Sequence, residues 1–171
     1  MNRLVELTAA VTRDAITDLF RAHASEHFYY VSLVCSWAPP FLSAWSVEAL
    51  ARAAQAQSCD PLMLKWSYAD SPYCAYRQDL FDGLREHFES HCSSLHAEAN
   101  DRVELAVRVA ELVMARLDSE GLFGKGVARN QIVVGAEVMP PDWTNTERLQ
   151  RLNPDAALYD WLQEAAEPCP D

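Results

Sequence analysis

Two short runs of aromatic and β-branched residues, each stopped by a pair of prolines, constrain this chain more than any other feature. The first is Phe28-Tyr-Tyr-Val-Ser-Leu-Val-Cys-Ser-Trp37, followed by Pro39-Pro40; the second is Gln131-Ile-Val-Val-Gly-Ala-Glu-Val-Met139, followed by Pro140-Pro141. Both fit buried strands, because branched and aromatic side chains pack well on a pleated surface. Neither can run past its prolines, since proline fixes φ and has no N–H to give to a ladder. Two strands make a marginal sheet, so further short strands are required, and residues 41–45 or 62–68 can supply them.

The remaining segments carry helical spacing. Leu4, Leu7, Val11, Ile16, Leu19 and Phe20 recur along residues 2–22 with charges between them, which predicts an amphipathic opening helix. Ser46 is a suitable N-cap for a helix running to Gln55. Residues 58–76 hold Pro61, Pro72 and four rings, Trp66, Tyr68, Tyr73 and Tyr76, and read as an irregular but packed loop. Leu80, Phe81, Leu84, Phe88 and Leu95 give Asp79–His96 the apolar side of a third helix. Asp101 and Glu104 have the spacing of an N-cap and its N3 partner, opening a helix whose wide apolar face includes Val103, Val107, Val113, Met114 and Leu117. That helix is expected to be the most buried, and Gly121 to end it as a C-cap glycine. Thr146 to Leu152 reads as a turn or two of helix. Asn153 as cap and Pro154 at the first position then start a last helix, held by Leu158, Trp161 and Leu162.

The order predicts an α+β fold: one domain over residues 1–171, with a small, mostly antiparallel sheet packed with about five to six helices. At this length a domain removes roughly 70% of its unfolded surface from water and needs no staples. The cysteines agree. Cys35, Cys59, Cys74, Cys92 and Cys169 are odd in number and form no C-x-x-C pair, as expected of reduced packing thiols rather than a disulfide framework. Charges interrupt the apolar residues of Met1 to Phe20, leaving no signal-peptide core, and no later segment reaches the ~18 uncharged apolar residues of a membrane span. A cytoplasmic protein without membrane contact is the expectation.

The net charge of −11 is unevenly placed. Residues 60–104 carry nine acids and four bases, and residues 136–171 eight acids and two bases, giving 9 − 4 = 5 and 8 − 2 = 6 excess negative charges. Such surfaces repel phosphate backbones, whose binding depends on Lys and Arg displacing counterions, so direct nucleic-acid binding is not expected. A basic protein would be attracted and steered.

Few residues suggest chemistry. Gly121-Leu-Phe-Gly-Lys-Gly126 has the glycines of a phosphate loop, but its spacing is wrong and it leads from helix to strand, so helix termination and a turn account for it better. His87 and His91 stand four apart, with Cys92 and His96 nearby; this is H-x-E-x-H, not the zincin H-E-x-x-H, and a solvated helix face is the favoured reading. No metal, cofactor or catalytic residue is assigned. The stretch from Trp66 to Glu86 combines rings with carboxylates, which suits an interface to an Arg- and Lys-rich partner. Asp70, Tyr73, Tyr76, Asp79, Asp82 and Glu86 are the candidate partner-binding residues. The competing reading is that the rings complete the core.

Five stretches together resemble a widespread bacterial family of unknown function. They are Phe28-Tyr29, Trp66-Ser-Tyr68, Leu117-Asp-Ser-Glu-Gly-Leu-Phe-Gly124, Ile132 to Val138, and Arg151-Leu-Asn-Pro154. Genes of that family often lie near those of polymorphic secreted toxins. The resemblance therefore implies an immunity protein, a cytoplasmic binder that occludes the active site of a basic toxin domain, with a nuclease as the natural client. It supplies no catalytic residues. Members are mostly poorer in Cys and His, so the cluster at residues 87–96 departs from the pattern and sustains the alternative of a small metal- or thiol-dependent enzyme using His87, His91 and Cys92. A structural adaptor is the second alternative.

Overall fold

The computed structural model describes every residue except 37, 38, 95, 97, 170 and 171. Trp37 of the first strand run, Leu95 of the third helix's apolar side and Asp171 of the acidic C-terminal stretch thus lie outside the described residues. The sheet has three strands, β1 (Phe28–Cys35), β2 (Phe41–Ser46) and β3 (Val133–Val138), in the order β2-β1-β3. β1 pairs with β2 antiparallel, Leu33 opposite Leu42, and with β3 parallel, Ser32 opposite Gly135. The fold is α+β as expected, the sheet being antiparallel on one side of β1 and parallel on the other. Residues 41–45 supply the third strand, whereas the described segment 62–68 holds the end of a 3-10 turn, Pro61–Met63, followed by further turns, and no strand.

Helix α1 (Asn2–Ala22) packs on α5 (Ala99–Ser119), and α5 packs on β1 and β3. Most of the apolar face read from the sequence is buried, Met114 being 0% exposed and Val107 8%, but Val103 is half-buried and Leu112 beside them is exposed. α5 ends in a Schellman motif. Gly121 adopts φ +88°, its N–H donates to Asp118, and the N–H of Leu122 reaches back to Leu117. Its start differs from the expectation. Asp101 is the N3 residue of a capping box, not the cap: its Oδ2 accepts from the Glu98 N–H at 2.9 Å, and Glu98 is the cap. Two acid pairs, 98/101 and 101/104, share the required spacing, and the chain uses the earlier one because the helix extends an additional turn.

Helix α2 (Val47–Gln57) is capped by Ser46, whose Oγ accepts from the Ala49 N–H, as expected. The single helix expected over 79–96 is instead two, α3 (Gln78–Asp82) and α4 (Arg85–Ser94), divided around Gly83. Glycine weakens a helix interior by about 1 kcal/mol, and here a tight turn from Leu84 N–H to Phe81 takes the place of a continuous ladder.

The outer edge of β3 is sealed by side chains of α6 (Trp143–Leu152) and the residue after it. Asn145 accepts from the Val138 N–H at 2.7 Å and donates to its carbonyl at 3.1 Å. Arg148 Nε donates to the Ala136 carbonyl at 3.0 Å. Asn153 accepts from the Val134 N–H and donates to the Val134 carbonyl, both at 2.7 Å. Asn153 is therefore not the cap expected for α7 (Asp155–Glu164), a position that Pro154 takes. A primary amide carries a donor and an acceptor side by side, so it can replace a paired strand residue, and that use of Asn153 outweighs capping.

Candidate functional site

At the C-terminal end of β3 a cleft of about 600 Å³ opens between the aromatic loop and α7, lined by Trp66, Tyr68, Met139, Pro140 and Trp161 around Glu137. Its floor is set by the parallel register of β1 and β3, which puts Tyr30, Ser32 and Val34 beside Val133, Gly135 and Glu137. Gly135 has to be glycine here. A Cβ would lie 2.5 Å from Ser32 Oγ and 2.7 Å from Glu137 Oε1, so the missing side chain is what allows the carboxyl to fold over the strand.

Glu137 is 7% exposed, and the Tyr30 hydroxyl donates to its Oε1 at 2.5 Å. No basic side chain forms an ion pair with it among the described residues. Burial pushes its pKa up, against the smaller opposing influences of Ser32, Tyr30 and Arg148. Arg148 acts at a distance, its guanidinium being bonded to Ala136 and Asn145. The neighbouring Cys35 thiol is also pushed up by burial, which favours its neutral form.

The walls are fixed. Trp66 Nε1 donates to Glu164 Oε2 at 2.7 Å, Lys65 Nζ reaches the same oxygen at 2.8 Å, and the Tyr29 hydroxyl donates to the Lys65 carbonyl at 2.6 Å. These partners hold the Glu164 carboxyl below the ordinary carboxylate range. Trp66 stacks edge-on against Tyr29 and Tyr30, and the Trp45 indole is tied to the Ser67 carbonyl at 2.7 Å.

Of the partner-binding residues read from the sequence, Asp70 reaches this cleft's lip: it is exposed and bonded to Ser67, which lines the cleft. Tyr73 is 5% exposed, and its hydroxyl donates to Glu26 Oε2 at 2.7 Å, so the ring lies in the core. Tyr76 is half-buried and donates to Asp18. Asp79, Asp82 and Glu86 are exposed on α3 and α4, but Arg77 grips Asp79 through two nitrogens and holds it below the ordinary carboxylate range. Arg85 pairs with Asp82.

His87 and His91 border a separate shallow depression, while Cys92 is 1% exposed and its thiol is pushed up by burial. The residues of that cluster therefore do not converge. Among the described residues, no group of three or more His, Cys, Asp or Glu side chains could hold a metal ion, and no helix is long and apolar enough to cross a membrane.

Residues 7–154 match a family model described as Domain of unknown function (DUF4303). The chain belongs to the DUF4303 family. No curated protein and no solved structure matches it. The DUF4303 region contributes Trp66, Tyr68, Glu137 and Met139 to the cleft, and Trp161 comes from α7 beyond the matched residues. Glu137 was not among the sequence candidates. Its signal was an acid inside an otherwise apolar strand, Val134-Gly-Ala-Glu-Val138.

Proposed function

We propose that this DUF4303 protein is a binding protein of the immunity type, acting in the cytoplasm. It captures one basic toxin domain on its acidic, aromatic surface and occludes that domain's active site. The observation that carries this reading is the cleft itself: two tryptophans and a tyrosine surround a buried carboxyl, in and beside the most acidic stretch of the chain. Aromatic anchors in a pocket with charges at the rim are the usual composition of a protein-binding hot spot. A nuclease is the favoured client, because its substrate groove is basic and an acidic inhibitor can imitate the phosphates.

The assay is survival of cells carrying the toxin gene adjacent to this one, beside binding kinetics at several salt concentrations. Wild-type protein should protect, and association should slow as salt screens the steering charges. Replacing Asp70 and Glu167 at the cleft with Asn and Gln should lower the association rate. The Tyr68→Leu variant should instead dissociate faster, by up to about 2 kcal/mol if the ring is a hot spot. Wild-type protein that neither binds nor protects against any adjacent toxin sinks the reading. The burial of Cys92 leaves the thiol-enzyme alternative without a supporting observation.

A further inference from the structure

Glu137 is a carboxyl that the fold has made costly and left without a cation. Buried acids are ordinarily paired, and a functional site is where the missing partner is supplied by a ligand. Three features of the cleft limit what that ligand is. Its floor is a carboxyl that accepts from a tyrosine hydroxyl and that a cation, unlike an anion, can hold in its charged form. Its walls include the rings of Trp66, Tyr68 and Trp161; Lys65 Nζ already lies over the Trp66 ring, 5.0 Å from its centroid, so Tyr68 and Trp161 are the rings left for a further cation. The space is about 600 Å³, ample for one long side chain.

We propose that this cleft receives the guanidinium group of a single arginine from the basic protein partner, its plane against the aromatic walls and its charge on Glu137. The inference rests on the binding reading above and names the group recognised. Arginine fits better than lysine. Its planar cation stacks on rings and is less strongly hydrated than an ammonium, so it loses less on entering an apolar cleft.

A proton follows from the same geometry. In the empty cleft burial favours the neutral carboxyl, whereas an arriving guanidinium favours the carboxylate. Binding therefore favours release of a Glu137 proton at pH values where the empty site still holds one, and the release fades once the pH is high enough to ionise the empty site. The groups around Glu137 are Tyr30, Ser32 and the Cys35 thiol from β1 and, at longer range, Arg148 from α6, with Glu167 also lining the cleft. Tyr30 has its own pKa raised by burial and stays neutral throughout.

The full-length protein can be tested without its partner, using Nα-acetyl-arginine methylamide as probe and its citrulline counterpart as a neutral control of the same shape. Tryptophan emission should change saturably with the arginine amide, and the citrulline amide should bind at least tenfold more weakly. Glu137→Gln, checked by near-ultraviolet circular dichroism for an intact fold, should lose at least tenfold in arginine affinity. Tyr68→Leu, which keeps bulk and removes a π face, provides a second variant and should weaken binding about threefold. Calorimetry in two buffers of different ionisation heat, repeated from about pH 4 to pH 8, should show proton release that falls with rising pH for wild type and none for Glu137→Gln. Equal binding of the two amides, an unchanged Glu137→Gln affinity, or a lysine amide that binds as well as arginine would overturn the inference. Arginine binding without any toxin partner would leave it standing while removing the immunity reading. Tight toxin binding that ignores Glu137→Gln would do the reverse.

Discussion

The two outer edges of the sheet are closed by different means. Along β3 the closure comes from three side chains on or just after one helix, and two of them are amides that each satisfy both a donor and an acceptor of the strand. Along β2 it comes from the loop, through separate and mixed contacts. Tyr76 N–H donates to Leu42, Ser43 Oγ to Tyr68, Trp45 Nε1 to Ser67, and Ser71 Oγ to Ala44. An unpaired strand edge invites another chain, and both solutions remove the invitation. They differ in what remains free. The helical closure uses up its polar groups on the strand, whereas the loop bonds partly through its own backbone and so leaves Trp66 and Tyr68 to line a cleft.

If that contrast is right, single deletions should cost more on the β3 edge. Asn153→Ala removes the partners of Val134 and also bonds to Leu149 and Arg129, leaving buried groups unsatisfied. The expected loss is about 3 kcal/mol, since each orphaned buried group costs ~1–3 kcal/mol; thermal denaturation should register it as a fall of roughly 6–12 °C. Asn145→Ala should follow at about 2 kcal/mol in a denaturant titration, by the same argument applied to Val138.

On the β2 edge, Ser43→Ala removes one bond among several. A loss of about 1 kcal/mol is expected in the same titration, and one as large as that of Asn153→Ala would break the comparison.

Glu137→Gln should give the smallest change, and a stabilising one. Because burial raises the folded-state pKa of Glu137, the wild-type carboxyl is fully accommodated below the ordinary glutamate value of about 4.3, and that accommodation is lost as the pH rises through the raised value. The variant should therefore melt higher than wild type at pH 8 and together with it near pH 4. A constant difference across that range would mean that Glu137 does not titrate differently in the folded state.

Much of the fold was legible because it follows from local rules. Branched runs ended by prolines marked β1 and β3, and a period of 3.6 over Val103 to Leu117 marked the buried helix. What the sequence hid were choices between equivalent local options. Asp101 could cap or be capped, and Asn153 could cap a helix or pair with a strand about 20 residues away; the second depends on a neighbour that only the tertiary fold supplies. The candidate site was half legible for the same reason. The aromatic loop stood out, and Asp70 does reach the lip of the cleft. Glu137 looked like an isolated acid in a strand, and Tyr73 fitted an interface ring and a core ring equally, because neither burial nor the register of β1 against β3 is written locally.

The position of β1 between its two neighbours has a consequence for the order in which the chain can assemble. Its antiparallel partner is adjacent in sequence, but Tyr30 pairs with Val133, a separation of 133 − 30 = 103 residues. During synthesis the hairpin and α1 emerge long before β3 exists, so β1 must wait with one edge open until β3, far along the chain, has left the ribosome. Pairings that close such large loops are slow, and a waiting edge is the vulnerable species in a crowded cell. The rate-limiting step of folding is then expected to be the docking of β3, arriving with α6 and its strand-sealing side chains just behind it.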